Sequence, residues 1–352
     1  MKIRQSLLLI LTFLAACALL IFPAEAATGA KNGICYCLQI LVPSLYPFMV
    51  LSVFIVKSGL SDKIGKIFEG PCRTVLKLPG SAAATILMSA VGGYPTGARG
   101  IASLYERGSL TEKQAARMLC FCVNAGPAFV ISAVGAGFLR NARAGGILFA
   151  SQLIASFFLS ILCSIPAKNE TVPRGTGKQR KTGMADALVL SAADAAHAMV
   201  GMCCFVILFA AFLNLFRIWV THPAASAALS AFMEVTGGCS DLTKLGVPLW
   251  AFSLAIGWGG VSVHFQILSF FTNVKVPLAR FVFYRVLHGL LAALTTVLLI
   301  RAFPVDTEAF SNIAKPLTPA LSGSVPASAA LIFLCIALII CLPREKLEFE
   351  DT

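Results

Sequence analysis

Long apolar runs alternate with short, mostly basic connections along this chain. Several uncharged runs approach or exceed eighteen residues, about the length at which an apolar stretch becomes a candidate membrane-spanning helix. The longer connections, such as 57–77 and 168–181, carry an excess of Lys and Arg. Basic loops of this kind usually lie on the cytoplasmic side of a membrane. The pattern therefore predicts an all-α polytopic membrane protein.

One stretch, 81–107, departs from the pattern of simple spans. Its apolar part ends at Gly92-Gly93-Tyr94-Pro95, and a second helix is predicted from about Thr96. A helix over 81–93 reaches only about 20 Å, against a hydrocarbon core of roughly 30 Å. A helix that stops at this depth leaves backbone groups unpaired unless protein or a watery cavity surrounds it. The break is typical of re-entrant hairpins in transporters, although a kinked helix in a structural bundle is the alternative.

A second break follows in the later part of the chain. The segment 247–271 also ends an apolar run in a glycine cluster, and an offset of 259 − 92 = 167 aligns Gly92-Gly93 with Gly259-Gly260. One span, 198–216, lies between them and places the second hairpin on the opposite face of the membrane. We therefore expect inverted repeats, each with a broken, re-entrant helical hairpin, whose tips at 92–97 and 257–262 meet near the midplane. The alternative is that glycine-rich membrane segments merely resemble one another.

The repeat divides the chain into five parts. They are an N-terminal span or signal anchor (1–30), a first repeat (31–167), a cytoplasmic linker (168–183), a second, inverted repeat (184–302), and a C-terminal span and tail (303–352). Two local features are also predicted. Thr111 caps a short helix, and the mixed-charge stretch 217–246 is a loop.

Composition excludes several classes of function. The chain is 58% hydrophobic and carries a net charge of +12, but the basic residues lie in loops, which indicates membrane topology rather than nucleic-acid binding. The twelve cysteines lie mostly in apolar runs, where cysteine acts as a small hydrophobic residue. We expect no cofactor and no metal. No motif of a hydrolase or ATPase is present, so an enzyme is not expected. Homo-oligomer formation is left open.

Four motifs together resemble one protein family. They are PSLYPFM (43–49), GGYPTGAR (92–99), CFCVNAGP (120–127) and GWGGVSVHFQ (257–266). They are similar to the YlbJ family of sporulation membrane proteins, whose nucleoside-recognition or Gate domain is shared in looser form with nucleoside and ferrous-iron transporters. The resemblance covers roughly 35–300. Gly92, Arg99, Val123 and Gly126 depart from the family's pattern, and an arginine in place of lysine could alter substrate contact.

The resemblance implies a role in endospore-forming bacteria. Members of the family are expected to pass dipicolinic acid across the outer forespore membrane, which makes this chain a bacterial membrane transporter for a small anionic metabolite. The alternatives are a nucleoside or cation transporter of the same fold, and a scaffold for spore-envelope assembly that transports nothing. The absence of acidic residues near the predicted breaks argues against a cation pathway.

A planar dianion needs cationic groups and hydrogen-bond donors, and the motifs offer both. Polar side chains at membrane depth are costly and usually functional, and helix N-termini favour anions. Arg99 could bind a carboxylate, although it could also extend to the interface instead. The expected substrate site consists of Gly93, Tyr94, Pro95, Thr96, Gly97, Arg99, Asn124, Gly260, Ser262, His264 and Gln266.

Overall fold

The computed structural model describes residues 2–167, 183–271 and 277–305. All regular structure within these ranges is helical, which confirms the all-α class. The predicted last span and tail lie outside the described residues, as does the linker except for Gly183.

Ten helical segments form the part of the chain before the linker. They are α1 (Lys2–Ile21), α2 (Pro23–Tyr36), a π-helical segment (Cys37–Leu41), α3 (Val42–Lys57), α4 (Leu60–Thr74), α5 (Ala82–Gly92), α6 (Tyr94–Glu106), α7 (Glu112–Leu119), a second π-helical segment (Ala128–Phe138) and α8 (Ala142–Ser164).

Six helices follow among the described residues after the linker. They are α9 (Met184–Phe216), α10 (Pro223–Met233), α11 (Val235–Lys244), α12 (Leu249–Trp258), α13 (Gly260–Ser269) and α14 (Leu278–Ala302).

The molecule is a multi-pass membrane protein. Within the described ranges four segments are long and apolar enough to cross a bilayer, namely Ala142–Ser164, Met184–Phe216, Leu249–Ser269 and Leu278–Ala302. Two bent pairs of helices would raise this number to six if each pair formed one span; the bend is 99° after α1 and 82° between α3 and α4. The second bend turns α4 sharply away from α3, as expected for an amphipathic helix at the membrane surface.

The first break forms the predicted hairpin. The chain reverses at Gly93, whose φ of 86° is a left-handed value that glycine adopts readily. α5 and α6 then lie side by side, so closely that a methyl group on Gly97 would lie 2.6 Å from Cβ of Ser89. A methyl group on Gly100 would lie 2.8 Å from Cγ2 of Thr85. Small residues therefore allow the two half-helices to pack in contact.

A second hairpin lies where the sequence predicted a loop. α10 and α11 reverse direction at Glu234, and a methyl group on Gly238 would lie 2.3 Å from Cα of Ala231. The prediction of a loop over 217–246 is therefore wrong. The apolar helix α10 has only 11 residues, so it is too short to read as a span, and the charges that flank it suggested a loop.

The second glycine break does not form a hairpin. α12 and α13 instead continue as one interrupted candidate span, Leu249–Ser269, with a change of backbone conformation at Gly259 and Gly260, whose φ angles are 83° and 80°. The prediction of a re-entrant tip at 257–262 is therefore wrong in geometry. Paired glycines permit an abrupt turn but do not determine whether the chain reverses or continues.

A comparable interruption lies in the first half. α7 begins with the predicted cap, because the Thr111 side chain accepts from Gln114 N–H at 3.2 Å and the Gln114 side chain accepts from Thr111 N–H at 2.9 Å. The helix ends at Leu119, and after the largely non-helical stretch 120–127 the π-helical segment Ala128–Phe138 continues the chain. Pro127 removes a backbone donor just where the helix restarts.

The same order of elements therefore occurs twice. A hairpin, an interrupted helix and a long helix appear as α5–α6, α7 with Ala128–Phe138, and α8, and again as α10–α11, α12–α13 and α14. This order pairs Gly93 with Glu234 and replaces the 167-residue offset, which had aligned a hairpin with an interrupted span.

The two long helices of this pattern run antiparallel. Near one end Thr296 Oγ1 donates to Ser151 Oγ at 2.8 Å, and further along His288 Nε2 lies 3.2 Å from Gln152 O. At the other end Cys163 and Arg280 line one cavity. Opposite directions of equivalent helices are what inverted repeats require.

Contacts along α9 show that the hairpins approach from opposite ends. With 33 residues, this helix is about 50 Å long. Its early residue Asp194 pairs with Arg99 of the first hairpin at 2.9 Å, and Arg217, just after its end, pairs with Asp241 of the second hairpin. Met202 and Val206, between these points, line a cavity shared by both hairpin tips.

We predict that the outer ends of the hairpins are exposed on opposite faces of the membrane. Lys66→Cys, on α4 beside the first hairpin, and His222→Cys, just before α10, both change exposed side chains. A membrane-impermeant thiol reagent added to intact cells should label only His222→Cys, and inside-out vesicles should give the reverse result. The parent protein supplies the background from its own cysteines, and labelling of both variants from one face would contradict the inverted arrangement.

Candidate functional site

A small buried cavity lies where the two hairpin tips meet. It has a volume of about 30 Å³, which is room for about two water molecules. Residues from both tips, both interrupted helices, the first π-helical segment, α3 and α9 surround it. They are Leu41, Leu45, Gly93, Tyr94, Pro95, Gly126, Phe129, Met202, Val206, Glu234, Val235, Thr236, Val263 and Gln266. The lining is mainly apolar with a few convergent polar groups, as is usual for small-molecule sites.

The tip of the first hairpin is tied to the second interrupted helix. Tyr94 is buried, and its hydroxyl donates to Ile256 O at 2.5 Å. Behind it, Thr96 Oγ1 donates to Gly92 O at 2.7 Å, and Gly97 packs against the carbonyl of Cys122. Of the predicted tip residues, Gly93, Tyr94 and Pro95 line the cavity, whereas Thr96 and Gly97 hold the hairpin together.

The tip of the second hairpin brings a carboxylate that is absent from the predicted site residues, because Glu234 lies in the stretch predicted to be a loop. Glu234 is only 5% exposed, and it caps α11 by accepting from Thr236 N–H at 2.9 Å and from Gly237 N–H at 2.7 Å. The expectation that acidic residues are absent from the breaks is therefore wrong. The available signal was a glutamate directly after the apolar stretch 223–233.

The predicted residues of the second break divide between the cavity and its support. Gln266 lines the cavity, and its amide donates to Ser262 Oγ at 2.9 Å. Gly260 lies against the backbone of Glu234, where a methyl group would approach Cα to 3.0 Å. His264 is buried behind the cavity, with Nδ1 2.7 Å from Gly260 O and its ring packed 4.3 Å from that of Trp258.

Asn124 supports the first interruption rather than lining the cavity. Its Nδ2 donates to Phe121 O at 3.1 Å and to Ser156 Oγ at 3.2 Å. It therefore satisfies a carbonyl within the non-helical stretch and joins that stretch to α8.

Arg99 belongs to a charge cluster at one end of α9. Its Nη2 lies 2.9 Å from Asp194 Oδ2 and its Nη1 lies 3.4 Å from Glu106 Oε1, while Lys57 Nζ lies 2.7 Å from Asp194 Oδ2. Arg99 does not line the cavity between the tips. In this conformation its guanidinium pairs with carboxylates of the protein, whereas the sequence analysis had assigned it to substrate.

A buried arginine, Arg285, is a second residue that the sequence reasoning left without a role. It is 1% exposed and donates to the carbonyls of Val123 and Gly257, one from each interrupted helix. Its Cζ lies 5.9 Å from the centroid of the Tyr94 ring. The signal in the sequence is an arginine within the apolar span 278–300.

A larger, more open cavity lies at one end of the bundle. It includes Arg117 and Arg280 and has a volume of about 970 Å³. It borders Ala167 and Pro277, next to residues outside the described part of the chain. The cavity between the tips is the better candidate site, because both hairpin tips and both interrupted helices line it.

Two comparisons with known proteins agree with the motifs. Residues 38–142 match the Gate family model, described as nucleoside recognition. The chain is also similar to the sporulation integral membrane protein YlbJ of Bacillus subtilis strain 168, with 23% identity over 318 residues that cover 79% of this chain and 78% of that protein. No solved structure shows a significant match. The resemblance to the YlbJ family and its Gate domain is thus confirmed.

We predict that the Tyr94 hydroxyl stabilises the junction between the hairpin and α12. Tyr94→Phe leaves Ile256 O without this donor, so the free energy of unfolding should fall by about 0.5–1.5 kcal/mol. Thermal unfolding of the protein in detergent would measure the change. Tyr105→Phe, on the same helix, is the matched control, and equal melting temperatures for the two variants would show that the hydroxyl contributes nothing.

Proposed function

We propose that this protein is a solute transporter that works by alternating access. The observation that carries the proposal is the meeting of two re-entrant hairpins, approaching from opposite ends of α9, at one small cavity with a few polar groups in its lining. Interrupted helices and paired hairpins around a central site are the arrangement that lets one face open while the other is closed. The cavity of about 30 Å³ is too small for a metabolite, so substrate entry requires one tip to move.

In this proposal the ion pairs at each end of α9 hold the nearby hairpin closed against that helix. Asp194, Arg99 and Lys57 hold the first hairpin to α9 and α3, and Arg217 with Asp241 holds the second hairpin to the other end of α9. Opening one cluster frees one hairpin and leaves the other hairpin in place.

A small anionic metabolite is the first candidate substrate. α6 and α13 both begin beside the cavity, and neither has a side-chain cap. Uncapped N–H groups at helix N-termini favour negative charge. YlbJ is named as a sporulation protein, and the family resemblance implies dipicolinic acid. We therefore propose dipicolinate as the first substrate to test.

A nucleoside or other neutral or cationic solute is the second candidate. Glu234 lines the cavity, and a carboxylate there would accept hydrogen bonds from a sugar hydroxyl or an amino group. The Gate model is itself described as nucleoside recognition. We propose no enzymatic activity, cofactor or nucleic-acid partner.

Uptake into proteoliposomes distinguishes these functions. We predict saturable uptake of labelled dipicolinate that Gln266→Ala lowers by about two- to tenfold in kcat/KM, because a donor in the cavity is lost. Gln39→Ala, an exposed glutamine, is the matched control and should behave as the parent protein. Glu234→Gln should maintain or raise dipicolinate uptake, because it removes a negative charge from the cavity.

The other outcomes identify the alternatives. Uptake of a nucleoside, but not of dipicolinate, together with its loss in Glu234→Gln, supports the second candidate. If neither these solutes nor a divalent cation enters the vesicles, transport is contradicted and the scaffold hypothesis is favoured.

A further inference from the structure

The interruptions of the two broken helices leave carbonyl groups without helical partners. In a continuous helix the Gly257 carbonyl would accept from the N–H of Val261, but the backbone leaves the helical conformation at Gly259 and Gly260. Val123 lies in the non-helical stretch between α7 and the second π-helical segment. Carbonyls freed in this way carry the negative ends of peptide dipoles, and in a membrane protein they need a donor or a cation.

One side chain donates hydrogen bonds to the freed carbonyls of both breaks. The Nη1 atom of Arg285 donates to Val123 O and its Nη2 atom donates to Gly257 O. Nη1 also lies 3.1 Å from His288 Nδ1, and His288 is itself held by Gln152 O at 3.2 Å. The guanidinium therefore joins the two interrupted helices from a fixed position on α14.

The surroundings of this guanidinium are those of a cation site. Besides the two carbonyls, the guanidinium faces the Tyr94 ring, and an aromatic ring face attracts positive charge. Among the residues that the structure describes, no carboxylate lies within ion-pair distance of Arg285. Its charge is therefore balanced by carbonyl oxygens and a ring face, the kind of oxygen environment that hard metal cations prefer.

We propose that Arg285 is a built-in cation that occupies the place of a bound alkali-metal ion at the two helix breaks. Arginine keeps its charge at any physiological pH, so the site is permanently filled and the protein needs neither Na⁺ nor K⁺ there. Arg285 is a positioning residue, because it acts through the two interrupted helices.

The test measures melting temperatures of the full-length protein in detergent at constant ionic strength, in choline, sodium or potassium chloride. The parent protein should melt at the same temperature in all three salts. Arg285→Ala should melt lower in choline and should recover part of the loss in Na⁺ or K⁺, because the vacated oxygens can bind the ion and binding stabilises the folded state. Arg280→Ala, on the same helix but exposed, is the matched control and should show no dependence on the cation.

Two results would overturn the proposal. One is a parent protein that Na⁺ or K⁺ stabilises relative to choline, and the other is an Arg285→Ala variant whose melting temperature is the same in all three salts. If Arg285→Ala does not fold, Arg285→Lys takes its place. The lysine ammonium keeps a positive charge at the site but cannot span both carbonyls as the guanidinium does, so a partial loss that Na⁺ or K⁺ does not restore is expected, and recovery in either salt counts against the proposal. None of these measurements requires a substrate, so they are independent of the proposed transport function.

Discussion

A helix that ends inside a membrane must find partners for the backbone groups it frees, and this requirement organises the centre of the molecule. Among the described residues four interruptions converge there, two as hairpin tips and two as breaks in the interrupted helices. Each is closed by a group from another element or by its own cap. The Tyr94 hydroxyl donates to the Ile256 carbonyl, and the Arg285 guanidinium donates to the carbonyls of Val123 and Gly257. The Glu234 carboxylate accepts from N–H groups in the first turn of α11. Since lipid offers no such partners, the breaks have to lie together.

The long helix α9 holds the two hairpins on opposite sides of this centre. The hairpins contact it at opposite ends, through Asp194 and Arg217, and the cavity lies between these points against Met202 and Val206. Because both hairpins are tied to a single helix of about 50 Å, their tips reach the same depth from opposite directions. The antiparallel packing of α8 and α14 is consistent with this inversion.

Local chemistry predicted the elements better than their arrangement. The end of α9 at Phe216, the cap at Thr111 and the break at Gly93 all follow from apolar runs, capping residues and glycine. The second hairpin could not be found in this way, because α10 is short and its partner helix is polar. Paired glycines occur both in a hairpin and in an interrupted span, so they aligned the wrong elements. For the same reason the site prediction lacked Glu234, and the pairing of Arg99 with Asp194 depends on contacts between residues far apart in sequence.

The charge clusters explain how such a structure could move without losing its centre. The Lys57 and Asp194 side chains are 27% and 32% exposed, and ion pairs that remain accessible to water contribute only about 0–1 kcal/mol each. The groups at the centre are buried instead, and leaving a buried donor or acceptor unpaired costs about 1–3 kcal/mol. Water can replace a partner at the ends of α9, but lipid and the packed core cannot replace one at the breaks. We therefore expect the ion pairs at one end of α9 to separate first, so that one hairpin moves. The interrupted helices and Arg285 stay in place.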